Sequence, residues 1–209
     1  SGADALAGVA ASPYAITAGA ATGGSFNPAN YNVTYTDGAL AVTPRPLTVS
    51  FAAQTKSYDG GTTASFGGYT LTNLANGDLP GLTGTAAYDD RHVGATKTVS
   101  YSGLALNGGT APNYSVPATP IGGNGSITPL SKITWTGGGG NSTWSNAANW
   151  GGIIVDGSNV LAVDIPAGSS VTFDAATAST QLNSLTVGSG GSFVMAGSSL
   201  GIAGNLSTP

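Results

Sequence analysis

The residues best suited to chemistry form a short polar run, Asp89-Asp90-Arg91-His92, which holds the only histidine of the chain. A Ser-His-Asp set is formally available, and the two aspartates could form a carboxylate pair. Paired carboxylates share a proton only when they face each other, whereas neighbouring residues of a strand point to opposite faces. Cysteine is absent, which excludes thiol catalysis and cysteine-bound zinc. We therefore predict a polar turn here and no enzymatic activity.

Calcium binding is the second chemistry that the acidic residues suggest. Ca²⁺ prefers oxygen ligands, and we take Asp78, Asp89 and Asp90 as the candidate metal ligands. The sequence contains neither a twelve-residue loop with alternating acids nor a Gly-Gly-x-Gly-x-Asp repeat. An aspartate beside glycine commonly hydrogen-bonds its own backbone in a turn. We expect no cofactor, with Ca²⁺ kept as the alternative.

Aromatic residues are candidates for ligand binding, because their rings combine an apolar face with polar edges and can stack on sugars. The candidates are Trp135, Trp144, Trp150, Tyr58 and the adjacent Asp59. The competing interpretation places the tyrosines in the core or in cross-strand pairs. It also places the three tryptophans at the N-terminal end of a β-helix, since their spacing does not put them on one strand face.

The composition indicates an all-β protein. Glutamate is absent, only 7% of residues are charged, and 34 residues are glycine, so good helix formers are scarce. Apolar residues reach 40%, which argues against a disordered chain. A net charge of −4 with five basic residues disfavours nucleic-acid binding. No apolar run approaches the roughly 18 residues that cross a membrane, so we expect no membrane insertion.

A partial internal repeat organises the first part of the chain. Asn30-Tyr31 recurs as Asn113-Tyr114, and Thr43-Pro44 recurs at nearly the same offset as Thr128-Pro129. Each copy also carries an Asp-Gly or Asn-Gly hairpin signal. This spacing indicates tandem modules of about 84 residues. We predict the C-terminal half of a first module at 1–45, a second module at 46–131, and a tryptophan- and glycine-rich segment at 132–209.

Short apolar runs recur in the last segment, among them Val171-Thr-Phe173 and Leu185-Thr-Val187. Glycine, serine and asparagine separate them at intervals of seven or eight residues. This pattern is typical of a parallel β-helix, in which each coil stacks on the one before it. The end coils of such a stack need a cap or a neighbour, so we interpret the chain as a piece of a longer protein.

Several of these residues carry a resemblance to known families. The run Lys56-Ser-Tyr-Asp-Gly60 resembles the opening of the bacterial YDG domain, and the resemblance continues through Asn76-Gly77-Asp78 to Thr128-Pro129. Residues 14–44 resemble the end of an MBG-type module. The segment from Trp135 resembles the passengers of autotransporters and haemagglutinin-like proteins. The resemblance implies an all-β chain of tandem β-grasp-like modules, followed by the start of a parallel β-helix.

The resemblance also implies a function. These families occur in tandem in large exported proteins, including filamentous-haemagglutinin-like adhesins of two-partner secretion. We expect a non-catalytic stalk or adhesive segment of a secreted adhesin, displayed on the bacterial cell surface outside the outer membrane and serving cell adhesion, biofilm formation or display. Its partners would be a cell-surface or biofilm polysaccharide or a host receptor, and the segment itself would be monomeric. The alternative is a dedicated carbohydrate-binding module for a host glycan or a biofilm polysaccharide.

Overall fold

The computed structural model describes residues 4, 7–75, 77–118, 121–174, 180–196 and 199–208. Within these residues the regular structure consists of strands and four short 3-10 helices, so the all-β prediction is confirmed. No helix in this described part has the length and apolar character needed to cross a bilayer. The strands are β1 (Tyr14–Ile16), β2 (Gly38–Leu40), β3 (Arg45–Pro46), β4 (Thr48–Phe51), β5 (Gln54–Ser57), β6 (Tyr69–Thr72), β7 (Gly81–Tyr88), β8 (Gly94–Asn107), β9 (Tyr114–Ser115), β10 (Ile121–Thr128), β11 (Ile133–Thr134), β12 (Ala162–Ile165), β13 (Ser170–Phe173), β14 (Thr180–Val187), β15 (Ser192–Met195) and β16 (Leu200–Ser207).

Several elements differ from the sequence pattern. The sequence predicts separate strands near 96–101 and 103–106, but β8 runs through both. Gly103, inside this strand, adopts a left-handed φ of 62°, which glycine tolerates without a steric cost. The sequence allows one helical turn at 73–80. No helix forms in the described residues there, and Asn73 takes a left-handed φ of 72°.

The chain forms two compact units, and the first comprises residues 1–50, 69–84 and 102–120. Its β1 and β2 pair antiparallel, and β3 pairs in parallel with β9, so that Arg45 lies beside Tyr114. The β4 strand pairs with β6. Leu47 and Val49 are buried here, whereas no described residue between 7 and 46 is buried.

The second unit comprises residues 51–68, 85–101 and 121–209. One part of it is a mixed sheet with the strand order β5-β10-β8-β7. The β10 strand lies parallel to β5 and antiparallel to β8. Val99, Tyr101 and Ile127 are fully buried in this sheet. A Cβ atom on Gly125 would lie 2.8 Å from a methyl group of Val99, so glycine at this position is required by close packing.

In the remaining part of the second unit, residues 130–208, the described strands pair only in parallel, and we call this part the parallel stack. Its larger sheet has the order β11-β12-β14-β16, and its smaller sheet pairs β13 with β15. Val163 pairs with Leu185 in the larger sheet, and Ser170 pairs with Ser192 in the smaller one. The offset between paired residues is the same for β12–β14 as for β13–β15. It is longer for β11–β12 and one or two residues shorter for β14–β16. We call one such pass of the chain a rung.

The corners between the two sheets repeat with the same period. Gly168 and Gly190, which are one rung apart, have φ angles of 70° and 69°. Backbone hydrogen bonds join the two corners, since the Gly168 N–H donates to Ser189 at 3.0 Å and the Ser192 N–H donates to Ser169 at 2.8 Å. The left-handed glycine thus makes the same tight corner in successive rungs.

The interior of the parallel stack is filled by residues that align from rung to rung. Val163 lies beside Leu185, and Ile165 lies beside Val187, and all four are buried. On the outermost described strand, Leu206 aligns with Leu185 but is 63% exposed. Each rung therefore buries its apolar side chains against its neighbours.

Candidate functional site

The Tyr-Asp-Gly signature lies in the turn that follows β5, and this turn encloses the side chain of Lys56. The ammonium group of Lys56 donates hydrogen bonds to the Asp59 carboxylate and the Gly61 carbonyl, both at 2.7 Å, and to the Thr63 carbonyl at 3.1 Å. It also lies 5.3 Å from the centre of the Tyr88 ring, a cation–π distance. All three ammonium protons are therefore used inside the turn.

The Asp59 carboxylate is part of this turn and is 58% exposed, so its role as a ligand-binding residue stays a prediction. Its carboxylate also accepts the Gly61 N–H at 2.9 Å. Partial burial alone would raise the pKa of Asp59, but the hydrogen bonds from Lys56 and Gly61 hold it below its ordinary value. A cavity of about 260 Å³ lies beside this turn and is lined by Gln54, Lys56 and Tyr88 among others. It offers polar groups, but the Tyr88 ring is buried and presents no open face.

Tyr58 points away from this turn and into the parallel stack. Its side chain is 1% exposed, and its hydroxyl donates to the Ile154 carbonyl at 2.7 Å while accepting a hydrogen bond from Arg91. Arg91 also pairs with the Asp156 carboxylate at 2.5 Å. Burial raises the pKa of the Tyr58 hydroxyl, an effect that Arg91 opposes. The hydrogen bond with Asp156 raises the pKa of Arg91.

Asn159 completes this contact. Its side-chain oxygen accepts the Val93 N–H at 2.9 Å, and its amide donates to Asp156 at 2.6 Å and lies 3.2 Å from the His92 ring nitrogen. Asn159 is 2% exposed, so its hydrogen bonds are formed away from water. We call the set Tyr58, Arg91, Ile154, Asp156 and Asn159 the joint, since it connects the turns of the mixed sheet to the first rung.

The acidic pair Asp89-Asp90 lies in the turn between β7 and β8. Both carboxylates reach the Lys97 ammonium group, at 3.1 Å and 2.5 Å, so the expectation that they point in opposite directions is wrong. They lie outside the strands, and the alternation of a strand does not apply to them. Desolvation alone would raise the pKa of Asp89, but the hydrogen bonds with Lys97 keep the pKa of both aspartates below the ordinary value.

Asp78 has a different role from the other two candidate metal ligands. It accepts a hydrogen bond from the Tyr114 hydroxyl at 2.6 Å, and the same hydroxyl accepts the Ala75 N–H at 2.8 Å. The hydrogen bond with Asp78 is the main cause of a raised pKa at Tyr114. Asn76, which belongs to the same motif, lies outside the described residues. Among the described residues, no group of three acidic or histidine side chains is arranged to hold a metal ion.

The three tryptophans pack against one another beside the first strand of the parallel stack. Trp144 and Trp150 meet edge to face at 4.7 Å, and Trp150 meets Trp135 at 4.9 Å. Trp144 also contacts Phe173 at 5.1 Å. Exposure is only 6% for Trp135 and 1% for each of the others, so none presents a ring face on which a sugar could stack.

The sequence alone does not assign several polar residues at these contacts. Arg91 stands out only as a neighbour of His92, and Asp156 and Asn159 stand out only as parts of a turn. Asn149, fully buried, accepts the Gly139 N–H at 2.8 Å and donates to the Thr143 carbonyl at 2.9 Å. The one available signal was the Asp-Gly-Ser-Asn run at 156–159, whose composition indicates a structured turn.

The geometry thus defines a mostly β protein in which a mixed sheet is joined to a stack of parallel strands. Residues 43–122 match the family described as the YDG domain, and this part of the chain is a YDG domain, as the Lys56–Gly60 run predicted. No curated protein and no solved structure matches the chain.

Proposed function

We propose that this chain is a non-catalytic stalk or adhesive segment of a large secreted bacterial surface adhesin. The observation that carries the proposal is the direct connection of a YDG domain to a parallel stack through buried polar contacts. Separating the two parts would leave buried polar groups without partners, and this cost supports a role in bearing mechanical load. A segment of this kind suits spacing and display at a cell surface.

We also propose that the parallel stack is the start of a β-helix. The support is the equal offset of the β12–β14 and β13–β15 pairs, together with the matching glycine corners at Gly168 and Gly190. In a β-helix each coil lies directly on the previous one, so strands on different faces advance together from coil to coil.

Tandem β-grasp-like modules are the corresponding proposal for the first part of the chain. Pro28–Asn30 and Ala111–Asn113 are both 3-10 helices, and each is followed by a tyrosine, Tyr31 or Tyr114. The two tyrosines have φ and ψ angles of −137° and 151°, and of −132° and 160°. The Asn-Tyr repeat thus coincides with a repeated turn, which supports a common module.

An adhesion experiment tests the stalk or adhesive function. Beads carrying the covalently attached full chain are allowed to settle on a bacterial biofilm and on epithelial cells, and detachment is measured under rising shear. We expect the chain to raise the shear needed for detachment on at least one surface relative to albumin-coated beads. Equal detachment of both bead types from both surfaces would exclude an adhesive role and leave spacing as the sole function.

The carbohydrate-binding alternative is favoured by one observation in the first unit. Phe26 and Tyr31 stack at 5.3 Å, with exposures of 38% and 64%, so this pair offers the open aromatic surface that the tryptophans lack. A glycan array with and without Ca²⁺ tests it. Binding that is lost in Tyr31→Ala and retained in Leu79→Ala, another exposed apolar residue, would support this alternative. An array without any bound glycan would exclude it.

A further inference from the structure

The joint brings together two parts of the chain that are far apart in sequence. Tyr58 and Arg91 come from turns of the mixed sheet, and their partners all lie in the loop 154–159 that precedes β12. The chain also passes directly from β10 into the stack. The Leu130 N–H donates to the backbone carbonyl of Asn159 at 2.9 Å, and the Leu130 carbonyl accepts the Leu161 N–H at 2.8 Å. The first rung is therefore built against the mixed sheet.

The groups of the joint lose their partners if the two parts separate. Tyr58 and Asn159 are buried, so each would keep an unpaired polar group unless its surroundings opened to water. Arg91 and Asp156 are each 23% exposed, and removing either one leaves a partly buried charge without its partner. Gly60 also lies close to the loop, since a Cβ at this residue would be in ordinary van der Waals contact with the Ile153 backbone at 3.7 Å.

The joint is also continuous with the tryptophan cluster. The carbonyl of Ile154 accepts the Tyr58 hydroxyl, and the carbonyl of the next residue, Val155, accepts the Trp144 indole N–H at 2.8 Å. The side chains of Val155 and Trp144 are both buried. A displacement of this loop therefore acts on the mixed sheet and on the tryptophan cluster at the same time.

We propose that the face of the YDG domain around Tyr58 is an interaction surface for an Asp-Gly-Ser-Asn loop, and that it acts as the cap on which the parallel stack folds. The signature tyrosine binds the loop backbone, Arg91 binds the loop aspartate, and the Val93 N–H binds the loop asparagine. The tryptophans then belong to the interior of the first rung rather than to its cap. Unfolding of the mixed sheet is coupled to unfolding of the stack through this surface.

All three tryptophans lie in the stack, so their fluorescence reports the stack alone and allows a test in the full chain. The probe mutation is Val99→Ala, in β8 of the mixed sheet, where the side chain is completely buried. We expect it to lower the tryptophan-detected unfolding midpoint by about 5 °C. In a chain that also carries Tyr58→Phe and Asp156→Ala, we expect the same mutation to leave the tryptophan-detected midpoint unchanged.

Two further variants keep the test decisive. Lys132→Met removes the exposed ion pair with Asp164, outside the joint, and must leave the effect of Val99→Ala intact. If the double joint variant does not fold, Tyr58→Phe alone removes only the hydroxyl and must still reduce the shift. The proposal is overturned if Val99→Ala leaves the tryptophan signal unchanged in the otherwise native chain, or if its effect is equally large in the joint variants.

Discussion

Tyr114 and Tyr31 occupy corresponding turns, yet only Tyr114 is buried, at 6% exposure against 64%. The Tyr114 hydroxyl bonds both Asp78 and the Ala75 N–H, and so links these two residues to β9. We expect Tyr114→Phe to lower the urea midpoint of unfolding, because Asp78 and Ala75 lose a shared partner. Tyr31→Phe is the matched control and should leave the midpoint where it is. Equal effects of the two substitutions would contradict the structural role of the hydroxyl.

Stability should depend on pH through Lys97 and its two aspartates. The pKa of Asp89 and of Asp90 lies below the ordinary value of 3.8, so their contribution is complete above that value and is lost as the pH falls through the lowered pKa. The pKa of Lys97 is raised above 10.5, so its contribution is complete below 10.5 and is lost at higher pH. Urea midpoints measured from pH 2 to 12 should fall at both ends, and Lys97→Met should flatten both limbs. A Lys97→Met profile parallel to that of the native chain would refute this assignment.

At the scale of single elements, the central strand β10 depends on its small residues. A Cβ on Gly125 would lie 2.7 Å from the Tyr88 ring and 2.8 Å from Val99, whereas a Cβ on Gly122 in the same strand would meet no atom within 4 Å. We expect Gly125→Ala to destabilise the chain by about 1–3 kcal/mol, as overpacking of a core does. Gly122→Ala is the control and should change stability far less. Chemical denaturation of both variants measures the difference, and similar values would show that the sheet accommodates the extra methyl group.

Strands with apolar alternation were predictable, and strands held by pairing alone were not. The run Leu47–Phe51 alternates and corresponds to β4, but β5 reads Gln-Thr-Lys-Ser and has no apolar face. It is a strand because β10 pairs with it in parallel along all four residues. The Tyr-Asp-Gly signature could likewise be recognised in the sequence. The joint could not be predicted, because the residues that meet there are distant in sequence. The length of a rung could not be predicted from the spacing of the apolar runs. Each rung contains two strands, so the apolar runs recur at shorter intervals than the rungs do.

At the scale of the whole molecule, apolar burial is unevenly distributed along the chain. In the parallel stack, buried residues such as Val163, Ile165 and Leu185 recur in successive rungs, and backbone pairing continues on both sides of β12 and β14. In the first unit, the described residues from 7 to 46 contribute no buried side chain, and β1 and β2 form a sheet of two strands. The predicted boundaries at 45 and 131 stay predictions, but local stability must be lower before residue 46, because a two-stranded sheet is marginal without a packed face.

This difference predicts the order of amide hydrogen exchange. Residues 14–16 and 38–40 have exposed or half-exposed side chains and pair only with each other among the described residues, so they should open without unfolding anything else. Residues 163–165 and 184–187 lie in the interior strands of the stack and should exchange only when the stack unfolds. Exchange followed by mass spectrometry of the intact chain should therefore show β1 and β2 deuterated within seconds to minutes, and β12 and β14 protected for hours, at neutral pH.

The β10 strand, which is paired on both sides, provides an internal reference in the mixed sheet. If the joint couples the mixed sheet to the stack, the slowest amides of β10 and β14 should share one opening free energy. Protection of β1 and β2 equal to that of β14 would contradict this distribution of stability, because it would require a packed face over residues 14–40 that their exposed side chains do not provide.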